Sequence, residues 1–362
     1  MHIINLIDDF GSVNFGVWNA ALSTAQILNQ KYSYTSHAWF PKIEEIPAID
    51  SVNMKVFEKI NYGELQKALE EGGFTPDNCI VVSHGCWRFP SKWGNKLKEY
   101  GFKWVAIPHG MLEPWSMQQK KIKKSIYYRL FERKLLSSAD IIRAVGTPEY
   151  NNLKRDFNKN VRLISNGIEP VLINDVVKKK SVKSFLFIAR LHHKKGVIPM
   201  VKAWLDSPLA NDSDYCLNIA GPDDGELPAL QVLLANSKVS NIKYLGPVYG
   251  EEKEKLFQNN HFFLQPSFSE GFSTSVLEAM QYGLIPIITE GCNFPEALEN
   301  NLAIKVKTEK NSIKKGLILA SKIPDNEMIT WGERASEFVT ENYSLQHIAK
   351  LQAELYQKLL NS

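Results

Sequence analysis

The sequence predicts an α/β protein made of two doubly wound, Rossmann-like domains. Short β-branched apolar runs alternate with helical patterns along its whole length, as parallel strands do when crossover helices join them. At 362 residues the chain is longer than one core ordinarily serves. A polar, basic stretch of weak periodicity at residues 174–183 separates the runs into two sets, as a linker does. The expected partition is residues 1–173, a linker at 174–183 and residues 184–344, followed by an amphipathic helix within 345–362.

In the first set, residues 3–7, 36–40, 55–58, 79–83, 104–107, 141–144 and 161–164 read as strands. In the second set the strands are 184–189, 216–220, 242–245, 261–265, 285–289 and 302–306. Residues 17–30 have the pattern of one helix, and residues 275–282 form another that Gly283 stops. Apolar residues make up 44% and charged residues 23% of the chain, ordinary proportions for a globular protein. A net charge of +4 is too mild to argue for nucleic acid as a partner. Cys79, Cys86, Cys216 and Cys292 lack metal-ligand spacing and read as the reduced thiols of a cytosolic protein. No signal-peptide pattern precedes the first strand, and no apolar run nears the ~18 residues that span a bilayer. A cytoplasmic protein is expected, either soluble or resting on the inner face of the cytoplasmic membrane.

The densest motif runs from Pro266 to Glu290: a turn-rich loop after a strand, then a helix and the next strand. In an open parallel sheet, ligands bind at the loops after the strands' carboxyl ends. The free N–H groups of a helix start favour an anion there. Glu270 lies in the loop and Glu278 about two turns into the helix. Carboxylates accept hydrogen bonds from sugar hydroxyls while N–H groups take a phosphate, so the pair suits a nucleotide sugar. The spacing Ser275-x-x-Glu278 is equally that of a capping box.

The segment E-G-F-S-T-S-V-L-E-A-M-Q-Y-G-L-I-P-I-I resembles the E-x7-E segment of retaining, group 1 glycosyltransferases of GT-B fold, which use nucleotide-sugar donors. The resemblance implies two domains facing a cleft, with the last helix packed back on the first domain. It places Glu270 on the donor sugar and Glu278 on the ribose, with Gly271, Phe272 and Ser273 lining the donor loop. Phe-Leu-Phe-Ile-Ala-Arg190-Leu-His-His-Lys-Lys195-Gly196 resembles the family's Gly-Arg-Leu-x-x-x-Lys-Gly segment, with Ala189 for its first glycine. It implies Arg190, Lys195 and Gly196 at the donor diphosphate; alone, either cation reads as a surface charge. Gly221-Pro-Asp and Leu245-Gly-Pro-Val248-Tyr-Gly resemble loops around the nucleotide, the second beside the base. In the glycine loop after the first strand, only Gly16 matches the family's Gly-Gly pair.

Ile107-Pro-His109-Gly-Met-Leu-Glu-Pro-Trp115 resembles the stretch that holds a histidine near the reacting anomeric carbon. Otherwise His109 reads as a turn-capping donor. His84, at another strand end, and Trp115 are acceptor-side candidates. Ser165-Asn166-Gly-Ile-Glu169 resembles a Pro-Asn-Gly-hydrophobic-Asp signature, with Ser165 and Glu169 departing from it. Asp212-Ser213-Asp214 lies in a turn and not at a strand end, so no divalent metal and no cofactor is called for.

Residues 120–134 form a basic helix in which Lys120, Lys121, Lys123, Lys124, Arg129, Arg133 and Lys134 oppose only Glu132. Ile122, Ile126 and Leu130 recur every four residues. The plain expectation is a solvated helix with this apolar stripe in the core; the alternative is a foot on anionic lipid. Taken together, the resemblance implies a retaining transferase moving a hexose or N-acetylhexosamine from a UDP- or GDP-sugar to a saccharide acceptor, lipid-linked, in surface polysaccharide synthesis. His109, Glu270, Arg190 and Lys195 would be catalytic. A GT-B-fold nucleotide-sugar epimerase and a non-catalytic sugar-nucleotide-binding subunit are the alternatives.

Overall fold

The computed structural model of the chain describes residues 1–11, 15–41, 49–119, 121–157, 160–171 and 182–362. Lys120 and most of the expected linker, residues 174–181, lie outside them. The chain divides into two compact units, Met1–Ile168 with Tyr343–Ser362, and Glu169–Asn342.

The first unit holds a sheet of seven strands: β1 (His2–Ile7), β2 (Thr35–Pro41), β3 (Val52–Phe57), β4 (Cys79–His84), β5 (Lys103–Ile107), β6 (Ile141–Ala144) and β7 (Val161–Leu163). Their order is β3-β2-β1-β4-β5-β6-β7, and every pairing is parallel. The second unit holds β8 (Lys183–Ile188), β9 (Tyr215–Ala220), β10 (Ile242–Tyr244), β11 (Phe262–Gln265), β12 (Ile285–Ile288) and β13 (Ile304–Lys305). These run in the order β10-β9-β8-β11-β12-β13, again all parallel. The winding therefore reverses between β1 and β4 in one sheet and between β8 and β11 in the other. Those reversals open the crevices where doubly wound sheets bind ligands.

Burial on both faces explains the near-continuous apolar strands. β4 and β12 are buried at every position. Phe185, Trp204 and Phe262 anchor one core, while Trp39, Trp93 and Trp104 anchor another. The last helix, Leu345–Leu360, belongs to the first unit. There Thr24 Oγ1 donates to Gln352 Oε1 at 2.8 Å, and the Tyr34 and Tyr356 rings meet edge to face. Where the chain leaves and re-enters this unit, Ile168 N–H donates to Tyr343 O and Leu345 N–H donates to Ile168 O, both at 2.9 Å.

Three local expectations are corrected. Residues 17–30 form two helices, Phe15–Leu22 and Ala25–Tyr32. Ser23 and Thr24 break the run, and the Thr24 hydroxyl is committed to Gln352. The helix of the Pro266–Glu290 motif is Thr274–Gln281 with Ser273 at its N-cap. Ser275 is therefore inside the helix, and the capping-box reading fails. The apolar stripe of the basic helix does not enter the core. Ile122 is 78%, Ile126 54%, Leu130 62% and Phe131 55% exposed. The segment is helical over Lys121–Tyr127, passes through a π-turn at Tyr128–Glu132, and resumes at Arg133–Ser138. Its inward face is Tyr128, Glu132 and Leu136. That row is offset by about half a helical turn from the expected one.

Candidate active site

In the second unit the site is built where β8 and β11 neighbour each other. The loops beyond their carboxyl ends are joined by the Phe268 N–H, which donates to Lys194 O at 2.8 Å. Gly196 sits at φ +71°, and a Cβ there would meet Pro266 O at 2.3 Å. Only glycine lets the Lys195–Gly196 turn lie against the Pro266 loop this closely.

Lys195 Nζ lies 2.7 Å from Glu270 Oε1, which also accepts from Ser267 Oγ at 2.6 Å and Gln265 Nε2 at 3.2 Å. The Glu270 backbone is pinned as well, its N–H donating to Gly291 O and its C=O accepting from Asn293 Nδ2. Burial alone would raise this carboxyl. The Lys195 ammonium, with Lys194 nearby and the hydrogen bonds from Lys195 and Ser267, holds it below the ordinary carboxylate range. Among the described residues Oε2 has no hydrogen-bond partner, so one edge of a fixed carboxylate stays open. Ser273 Oγ, at the N-cap, is buried without a partner.

Arg190 Nη1 is held by Asp224 Oδ2 at 2.5 Å. The loop carrying Asp224 is shaped by Gly221, at φ +138°, where a Cβ would meet Ala189 O at 1.9 Å. Glu278 accepts from Lys253 Nζ through both oxygens, at 2.7 and 2.8 Å. Lys253 stands on the helix Gly250–Gln258, just beyond half-buried Val248. Arg190, Lys195 and Glu278 thus each have a counter-charge, and a carboxylate has lone pairs to spare for further hydroxyl donors. Asp212 and Asp214 remain in the turn before β9, where the Asp214 N–H donates to Asp212 Oδ1.

In the first unit a polar chain crosses neighbouring strands. Asn5 Nδ2 donates to His37 O at 3.1 Å, Asn5 Oδ1 lies 3.1 Å from His84 Nε2, and His84 Nδ1 lies 3.0 Å from His109 Nε2. His84 is buried with both ring nitrogens engaged. His109 adopts φ 52°, a left-handed conformation uncommon for a side-chain-bearing residue. Its neighbour Gly110 fixes the turn by donating its N–H to Glu149 Oε1 at 2.6 Å, while Glu149 Oε2 takes the Val145 N–H at 2.8 Å. Burial and the Arg143 charge push His109 down to about 3, and His84 is pushed well down by burial, His109 and Arg143. Trp115 is half-buried on the short helix Pro114–Gln118, and Gly16 is exposed in the first turn of the helix Phe15–Leu22.

Burial pushes Glu149 up to about 7 against the pull of its two backbone donors, with Glu113 adding to the rise and Arg143 opposing it. A folded-state value above the unfolded one gives stability that is full below about 4.5 and lost as pH rises through about 7. The wild type is expected to lose several degrees of thermal midpoint relative to Glu149→Gln between pH 5 and 8. Scanning calorimetry of both proteins across that range checks this, and a wild type that gains on the variant refutes it.

Sequence reasoning missed Asp224, Lys253, Asn5 and Glu149. Lys253 sits in a run of surface-like charge, E-E-K-E-K, and gave no signal. Asn5 did give one, as the single polar residue within I-I-N-L-I.

Residues 170–338 match the model of the family described as glycosyl transferases group 1. An uncharacterized glycosyltransferase of Methanocaldococcus jannaschii is 24% identical over 74% of this chain and 71% of its own length. The O-antigen chain mannosyltransferase B of Escherichia coli is 28% identical over 31% of this chain and 30% of its own. Among solved structures, an Anabaena protein in complex with UDP superposes with a TM-score of 0.76 at 15% identity, over 99% of this chain and 100% of that one. At that identity the likeness establishes fold alone. The chain thus has the α/β fold of two parallel-sheet domains found in GT-B proteins, and its second unit carries the pattern of the group 1 glycosyl transferases, which supports a transferase.

Proposed function

We propose that this chain is a retaining glycosyltransferase that moves a hexose or N-acetylhexosamine from a nucleotide-diphosphate sugar to a saccharide acceptor. The observation that carries the reading is the pinned Glu270 carboxylate, with Lys195 at 2.7 Å and one oxygen open, beside an uncapped helix start at a sheet's switch point. Cleavage of a sugar nucleotide places negative charge on the leaving diphosphate and positive charge on the anomeric carbon. Lys195, Arg190 and the N–H groups following Glu270 meet the first charge without having to reorganise. Glu270 Oε2 accepts from a sugar hydroxyl and Glu278 from the ribose, with Val248 beside the base. Gly196 and Gly221 set the loops, and His109 is assigned a catalytic role on the strength of its motif.

The acceptor in this reading is a lipid-linked saccharide of surface polysaccharide synthesis, and the enzyme works at the inner face of the cytoplasmic membrane. The O-antigen relative and the exposed apolar row flanked by Lys121, Lys123, Arg129 and Lys134 support this part. No helix among the described residues is long and apolar enough to cross a membrane. His84 and Trp115 are assigned to the acceptor side, His84 through its contact with His109.

A thermal-shift panel of UDP- and GDP-sugars, followed by NMR of the product's anomeric proton, tests the reading. The matching donor at 100 times its Kd is expected to stabilise the chain by about 2.7 kcal/mol. No shift with any sugar nucleotide refutes the donor class, and a product of inverted configuration refutes retention.

A further inference from the structure

His109, catalytic in the reading above, has a ring nitrogen whose protonation is decided two residues away. The backbone carbonyl of His37 can only accept, so the Asn5 atom 3.1 Å from it is the amide nitrogen. The Asn5 oxygen therefore faces His84 Nε2 at 3.1 Å, and an amide oxygen can only accept, so His84 carries its proton on Nε2. Neutral His84 then presents a bare Nδ1 to His109 Nε2, 3.0 Å away, and the proton in that contact belongs to His109. What remains on His109 is an unprotonated Nδ1, with no partner among the described residues. The three side chains come from β1, the end of β4 and the turn after β5, which are consecutive neighbours in the sheet, and the carbonyl comes from β2 on the other side of β1. The relay is therefore anchored at its far end by backbone and cannot reverse without breaking a strand contact.

We infer that Asn5 and His84 are positioning residues that lock His109 in its Nε2–H tautomer, so that His109 Nδ1 accepts a hydrogen bond from a sugar hydroxyl. The left-handed backbone of His109 and the Glu149 clamp on Gly110 hold the ring where the relay ends. The buried Arg143 guanidinium, donating to Ile164 O and Ser165 O, disfavours a second proton on either ring. A locked acceptor selects sugars that place a hydroxyl, and not an acceptor group, at this point. The inference rests on the transferase reading for its substrate, but its first half concerns protons on the free protein.

The test uses the full chain labelled with ¹⁵N-histidine. Long-range ¹H–¹⁵N spectra at pH 7.5 should show His84 and His109 neutral, both protonated on Nε2. A proton on His109 Nδ1 overturns the relay, whether or not the protein is a transferase. Asn5→Leu should let both rings exchange tautomers. It should weaken UDP-glucose or GDP-mannose, whichever binds, about 5- to 10-fold while leaving UDP and GDP within twofold. Scrambled tautomers with unchanged affinity for both sugar nucleotides overturn the positioning role. Equal weakening of sugar nucleotide and bare nucleotide marks Asn5 as merely structural and overturns it too. If neither sugar nucleotide binds the wild type, the donor reading fails for these two sugars and the histidine spectra still decide the relay.

Discussion

Lys195→Ala is expected to lower sugar transfer about 100- to 1000-fold, the usual loss when one preorganised group facing transition-state charge is removed. It should also cost roughly 3–5 kcal/mol of stability, because it leaves the Glu270 carboxylate buried without its cation. The two effects have different cures. In the double variant Lys195→Ala/Glu270→Gln the orphaned charge is gone, while Ser267 and Gln265 can still reach an amide in its place. Stability should recover by about half or more, while transfer should stay well below that of Glu270→Gln alone. Urea denaturation with a single-turnover assay on the wild type, both variants and Glu270→Gln reads the two quantities separately. Recovery of transfer along with stability would mean that Lys195 serves only the fold.

Replacing Lys121, Lys123, Arg129 and Lys134 by glutamine is expected to weaken binding to anionic vesicles about 1000-fold, at about 1 kcal/mol for each charge near the lipid surface. Changing Ile122, Ile126 and Leu130 to serine should do so independently, because those side chains reach solvent in the free protein. The charge variant should lose the salt dependence of binding, which arises from screening over ~8–10 Å. The apolar variant should keep it. Donor affinity should be unchanged in both. Lys124 is left out because its ammonium already donates to Ser116 O at 2.7 Å. Cosedimentation of the charge variant at wild-type levels would falsify the assignment of this face to a membrane.

The two results depend on features of very different legibility. Each of the thirteen expected strands overlaps a strand among the described residues, and the central ones are the plainest because strands buried on both faces, such as β4 and β12, write their burial into every position. The loop at Glu270 was legible for a related reason, being a dense local motif whose parts are neighbours along the chain. The partners of its charges were not. Asp224 lies 34 residues from Arg190, and Lys195 lies 75 from Glu270. No periodicity encodes a pairing that only the sheet's winding creates. The basic helix misled for a third reason. A regular four-residue spacing predicts one shared face but says nothing of which way it points, and the inward face belongs to Tyr128, Glu132 and Leu136.

The hydrogen bonds between Ile168 and the Tyr343–Leu345 segment mean that residues 169–342 are, topologically, an insertion whose two ends meet at one point of the host. During synthesis the host is then interrupted. Its first 168 residues emerge early, but the helix that receives the Thr24 hydroxyl and faces the Tyr34 ring comes last. The guest, an unbroken stretch of sequence, has all its strands before the host has its final helix, so the unit made second can be the unit folded first. Until residues 345–360 arrive, the host keeps an uncovered seam along Ala25–Tyr32, and the interval in which it is exposed is set by the length of the guest.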